Sequence, residues 1–235
     1  MSSPRARVAA MLLAALGVAL LAGLGVWQLE RLQWKTALIS RVEARLAAPP
    51  APAPGPAEWA GIHRADDEYR RVGVTGRYLY AHETLVKAVT GLGPGFWVMT
   101  PIETPAGWRV WVNRGFVPET RRAPADRARP EGLEHVTGLL RMSEPGGAFL
   151  RRNDPAGGRW FSRDVAAMSA AQGLDRTAPW FLDADGQVTA TQSLPVPGLT
   201  VVHFRNAHLG YALTWFALAL LLAGTTAVAL RRRPG

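Results

Sequence analysis

Residues 8–27 read VAAMLLAALGVALLAGLGVW, and residues 209–230 read LGYALTWFALALLLAGTTAVAL. Neither stretch holds a charged or amide side chain. At ~1.5 Å rise per residue, about 20 helical residues reach roughly 30 Å, the thickness of a bilayer's hydrocarbon core. The first run exceeds the ~7–15 apolar residues of a signal peptide, and no small-x-small cleavage pattern follows it, so it predicts a retained anchor. The second has no polar face and runs into Arg231-Arg232-Arg233, which predicts a second span rather than a core helix.

Charge confirms the reading and orients it. The 235 residues carry a formal charge of +9, yet only 19% are charged. Arg5, Arg7, Arg231, Arg232 and Arg233 sit in or beside the two apolar ends without a compensating acid, and they leave +4 for everything between. A nucleic-acid binder needs Lys and Arg clustered on one face, so no nucleic-acid partner is expected. Basic, short flanks predict that both termini, 1–7 and 231–235, are cytoplasmic, and that 28–208 lies across the membrane between spans 8–27 and 209–230. Trp27, Trp34, Tyr211 and Trp215 suit an interfacial aromatic belt, with membrane lipid around both spans. In a mitochondrion the domain would face the intermembrane space. The sequence has no Arg/Ser-rich amphipathic presequence, which favours the periplasmic face of a bacterial inner membrane.

Between the spans the pattern changes twice. QLERLQWKTALISRVEARL (28–46) keeps a helical period, with Trp27, Arg31, Trp34 and Leu38 on one face. The run PPAPAPGP (49–56) ends it and reads as a stiff, extended spacer. From Tyr69 the period becomes two, with strands predicted at 71–75, 84–89, 96–100, 108–112, 136–142, 180–182 and 199–204. Pro105-Ala106-Gly107 and Gly91-Leu92-Gly93-Pro94-Gly95 read as hairpin turns. Residues 164–172 form a short helix that Gly173 stops. Asp66-Asp67-Glu68 and 121–130 read as solvated loops. The expected fold is therefore a membrane protein of α+β class. Two transmembrane helices flank an extracytoplasmic antiparallel β-barrel or sandwich-like domain, with its β-rich core at 69–204.

No catalytic motif stands out, so no enzyme is expected. There is no G-x-S-x-G, H-E-x-x-H or P-loop, and the absence of Cys excludes disulfides, thiolate metal sites and thiol catalysis. Among the histidines, His63, His82 and His135 read as surface residues and His203 as a strand residue. His208 stands apart at the entry to the second span, where an ionisable group is a functional candidate. On a helix His208, Tyr211, Ala212 and Trp215 share a face, with Arg205 one turn earlier. That stripe admits two readings. His208 is an axial ligand of haem iron above aromatic packing, with Arg205 facing a propionate; or it caps the helix and snorkels at the interface.

Four blocks carry a family resemblance: GVWQLERLQWKTALI (25–39), YRRVGVTGRY (69–78), GFWVMTPIE with WRVWVNRGFVP (95–118), and RNAHLGYALTWFALA (205–219). In order, spacing and two-span layout the chain resembles the surfeit locus protein one family, assembly factors for cytochrome c oxidase. RRNDPAGGRWFSRD (151–164) resembles a further region of that family. The resemblance implies a haem–copper oxidase assembly factor whose cargo is haem a. Subunit I of cytochrome c oxidase is the implied recipient, and haem a synthase is a second candidate partner. It carries haem contact over to His208, with haem iron as the metal. The roles of Tyr211, Trp215 and Arg205 are inferred from their place around that histidine. The alternative reading is a structural scaffold that stabilises an oxidase assembly intermediate without binding haem. In the N-R-G block Gly115 is expected to serve backbone geometry, a bulge or a positive φ; Asn113 and Arg114 either orient the loop or meet a partner.

Overall fold

A computed structural model describes residues 4–148, 150–186, 194–199, 204 and 206–231. The chain divides into two compact units, Met1–Glu43 with His203–Gly235, and Ala44–Val202. The strand expected at 199–204 falls largely outside the described residues, as do His203 and Arg205.

The first unit is a helix pair. α1 is one unbroken helix, Pro4–Ala47, so the amphipathic stretch after the apolar run continues it without a break. The second, which we label α4 in chain order, spans His208–Arg231. Both are long and apolar enough to cross a membrane, as the sequence predicted. They pack antiparallel, because a side chain added at Gly17 would meet Leu222 and one added at Gly25 would meet the Phe216 ring. Ala212 and Ala219 are buried on the facing side of α4. Small residues at such a seam let two apolar helices approach closely.

The second unit is β-rich. Its strands are β1 (Ala51–Pro52), β2 (Arg71–Tyr78), β3 (Thr84–Thr90), β4 (Gly93–Glu103), β5 (Arg109–Pro118), β6 (Glu134–Met142), β7 (Gly147–Ala148), β8 (Arg151–Arg152) and β9 (Thr177–Ala184). Two short helices, α2 (Arg64–Asp67) and α3 (Val165–Ala171), complete it. The order β2-β6-β9-β5-β4, with β4 pairing back to β2, closes a barrel. β3 hangs on β4 outside this ring, and β1 on β2. Closure decides between the two architectures left open by the sequence.

Two expectations need correction. The sheet is not wholly antiparallel: β5 pairs parallel with β9, and β1 parallel with β2. The long passage from β5 to β9, which includes α3, supplies the crossover that a parallel pair requires. The Pro-rich stretch is also not a free spacer. Ala51 and Pro52 form β1, and the Ala53 N–H donates to the Gly73 carbonyl at 2.9 Å. Proline tolerates this place because β1 lies at the sheet edge.

Alternation along the strands builds two cores. Val110 and Val112 of β5, with Trp180 and Leu182 of β9, join Val72, Ile102 and Leu140 in one cluster. Trp111 and Phe181 point the other way, into a second cluster with Met99, Trp160 and Met168 of α3. β5 is buried on both faces from Val110 to Val117, although Asn113 and Arg114 interrupt its apolar run. Asp164 caps α3 by accepting from the Ala167 N–H at 3.1 Å, and Gly173 follows the helix at φ +64°, as predicted.

Candidate functional site

His208 opens α4, where its half-buried side chain faces α1. Its Nδ1 lies 2.7 Å from Oε1 of Gln28, a residue only 9% exposed. With the amide oxygen facing the ring it can only accept, so Nδ1 is the donor of this bond, and in the neutral ring Nε2 is then the nitrogen that carries the lone pair. Among the described residues Nε2 has no hydrogen-bond partner. Near the same ends of the two helices, Asn206 Nδ2 donates to Thr36 Oγ1 at 3.4 Å.

All four residues of the expected stripe lie on α4, and they differ in exposure. Ala212 is buried at 1% exposure, Trp215 is half-buried, and Tyr211 points outward at 59%. Arg205, the expected propionate partner, lies outside the described residues. No group of three or more His, Asp or Glu side chains able to hold a metal occurs among the described residues. A single histidine with one nitrogen anchored and the other free fits axial ligation of a haem iron, where the second nitrogen's bond orients the ring. Sequence reading missed Gln28, although its position was inside the quoted block at 25–39.

The other histidines are as bland as expected in two cases. His63 and His135 are exposed; His82 is half-buried, with Nδ1 3.3 Å from Gln172 Oε1. The N-R-G block resolves into architecture. Between the pairs Trp97↔Phe116 and Met99↔Asn113, β5 has one more residue than β4, so Arg114-Gly115 forms a bulge. Gly115 has φ +131°, and a Cβ there would collide with the Val196 backbone. Asn113 Nδ2 donates to Asp183 Oδ1 at 2.7 Å, and its Oδ1 accepts from the Gly115 N–H at 3.2 Å. Arg114 pairs with Glu83 at 3.2 Å, donates to the Ala128 carbonyl, and lies over the Tyr78 and Tyr80 rings.

Within two stretches read as solvated loops, single residues are buried in ion pairs while Asp66 and most of 121–130 are exposed as expected. Asp67 and Glu68 are 7% and 5% exposed, bound to Arg70, Arg64 and Arg141. Burial works to raise the Asp67 pKa, but the His63 N–H and Arg70 outweigh it and hold the carboxyl below its usual range. Arg127, inside the expected loop at 121–130, is buried against Glu83. A second buried network centres on Asp183, which takes Arg141 at 2.7 Å and Arg163 at 3.1 Å. Burial alone would lower the Arg163 pKa; Asp183 and Glu144 hold it above its ordinary value.

The SURF1 family model matches residues 15–220. Surfeit locus protein 1 of Mus musculus is 35% identical over 215 residues, covering 83% of this chain and 67% of the mouse protein. The SURF1-like protein of Monosiga brevicollis is 35% identical over 229 residues, covering 91% and 84%. The human Surfeit locus protein 1 is 34% identical over 217 residues, covering 84% and 69%. The match takes in α1 from residue 15 onward, the barrel and the first half of α4, and so both Gln28 and His208: the chain belongs to the SURF1 family.

Proposed function

We propose that this protein is a membrane-anchored, non-enzymatic assembly factor for haem–copper cytochrome c oxidase, holding haem a at His208 and passing it to the oxidase's catalytic subunit. In this reading α1 and α4 span a bacterial inner membrane, the barrel is periplasmic and both termini are cytoplasmic, so a reporter fused after Gly235 is active only in the cytoplasm. A periplasmic signal there overturns the topology.

The observation that supports the cargo reading is the 2.7 Å bond from His208 Nδ1 to Gln28, which presents Nε2 as a base. His208 supplies that nitrogen, Gln28 fixes the ring's tautomer, and Tyr211 and Trp215 supply aromatic surface alongside. Transfer of an intact cofactor requires no bond of the macrocycle to be made or broken, which agrees with the lack of a catalytic motif.

The test is haem content. Full-length protein purified from cells that make haem a should carry a stoichiometric haem spectrum. His208→Ala should lose most of it at near-normal protein level, because a half-buried side chain at a helix terminus leaves no large cavity. Equal haem in both proteins overturns the ligand assignment and leaves the scaffold reading standing.

A further inference from the structure

The barrel unit holds a cavity of about 780 Å³ that the histidine site does not use. Six cations line it: Lys87, Arg122, Arg127, Arg129, Arg151 and Arg159. The one carboxylate in the lining is Glu83. From outside the lining, Glu119 pairs with Lys87, and Asp154 with Arg159 at 2.6 Å. Glu83 alone must serve Arg127 at 2.5 Å, Arg114 at 3.2 Å and Arg129 at 3.7 Å. Arg122 and Arg151 form no ion pair among the described residues. The wall therefore carries a standing cationic surplus.

The unpaired cations, Arg122 and Arg151, are exposed at the rim, above a base that is buried. At the base the buried Glu83 carboxylate, 5% exposed, is outnumbered by the Arg127 and Arg114 side chains, 2% and 7% exposed, so one positive charge there is fixed in place and poorly screened. Aromatic rings interleave with the cations. Lys87 Nζ lies 4.9 Å from the Phe96 ring centre, and the Arg151 guanidinium lies 5.5 Å from that of Phe161. Trp160, 5% exposed, adds a fixed apolar panel. Sites for small molecules occupy ~300–1,000 Å³ and combine apolar walls with a few convergent polar groups. Guanidinium groups match carboxylate and phosphate oxygens in fork geometry.

We propose that this cavity binds a small polyanion, a molecule bearing two or more carboxylate or phosphate groups on a flat or apolar body. Arg127 and Arg129, held by Glu83, form the fixed base of the site. Arg122 and Arg151, free of carboxylate partners, close on the ligand's outer charge. The proposal stands apart from the histidine reading and survives its failure.

The experiment is calorimetric titration of the full-length protein in neutral detergent with mellitate, a flat benzene hexacarboxylate, and separately with inorganic pyrophosphate. Saturable binding of either probe is expected, weakening with added salt. Mellitate alone assigns carboxylate chemistry, and pyrophosphate alone assigns phosphate chemistry. The double variant Arg122→Gln/Arg151→Gln should bind about tenfold more weakly or worse, the loss of one charge-assisted hydrogen bond. Its melting temperature should match wild type, because both side chains are exposed and carry no ion pair. Arg77→Gln removes an exposed cation outside the cavity and should leave binding unchanged. Failure of both probes to saturate, equal binding by the double variant, or an equal loss in Arg77→Gln overturns the site.

Discussion

Gln28 Oε1 on α1 and His208 Nδ1 on α4 are 2.7 Å apart, although 180 residues separate them in the chain. The bond ties the first block of family-like sequence to the last. A partner on the distal nitrogen is how ligating histidines are generally oriented, and its loss typically costs about tenfold to a hundredfold in affinity. Gln28→Leu should therefore lower haem a content at unchanged protein level, and Gln28→Glu, which keeps an acceptor oxygen, should retain it. Absorbance of the purified variants reads the outcome; wild-type haem content in Gln28→Leu would remove Gln28 from the site.

At the β5 bulge, Gly115→Val should destabilise the barrel by about 3 kcal/mol or more. Left-handed backbone costs a β-branched residue ~1–3 kcal/mol, and here the new side chain also strikes the Val196 carbonyl. Gly93→Val is the control, because Gly93 has φ +96° with nothing within 4 Å of its added Cβ. Denaturant unfolding of both variants should rank Gly115→Val clearly lower; equal losses would show that the collision is relieved at no cost.

Asp183 and Asp185 lie two residues apart and differ in worth. Asp183 is 3% exposed and accepts from Asn113, Arg141 and Arg163, so Asp183→Ala removes their shared carboxylate and leaves Arg163 to Glu144 and Arg141 to Glu144 and Glu68. Losing one partner of a buried ion pair costs ~3–5 kcal/mol. Asp185 pairs with Arg71 at a site about a third exposed, and Asp185→Ala should cost under ~1 kcal/mol. A comparable fall in unfolding free energy for the two would refute the distinction.

Burial pushes the Tyr78 phenol up from 10.0 to about 12, against the opposing pull of Arg114. The folded state thus holds this proton more tightly than the unfolded chain. The resulting stabilisation is complete below pH 10.0 and is lost as pH rises towards about 12. Unfolding measured across that window should show wild type losing stability with a steeper slope than Tyr78→Phe. Parallel slopes would mean that Tyr78 titrates normally.

The two long apolar helices, the hairpin turns, the stop of α3 at Gly173 and the bulge at Gly115 were legible because each is written in neighbouring residues. Charge-free length, Pro-Ala-Gly, a glycine after a helical run and a glycine inside a strand are all local signals. The parallel pairing of β5 with β9 was not legible, since a period of two says that a strand exists and not what lies beside it. Asp67 and Glu68 looked solvated because one of the cations that buries them, Arg141, is 73 residues beyond Glu68. Arg127 was hidden in the same way by Glu83, 44 residues earlier. At the histidine site, position and residue type pointed to His208, but only the helix pairing brings Gln28 to it and turns Tyr211 outward.

The barrel is a belt with a short buckle. Its other seams run over four or more residue pairs, whereas β2 meets β4 through Arg77↔Glu103 and Tyr78↔Ile102 alone. Gly76 makes even that contact feasible, since a Cβ there would strike the Glu103 carbonyl. A ring fastened so briefly opens first where it is fastened, and it can unroll into a curved sheet without giving up its longer ladders. Backbone amides at that junction would exchange with solvent ahead of those in β5 and β9, and the same junction is the natural last step in assembling the domain.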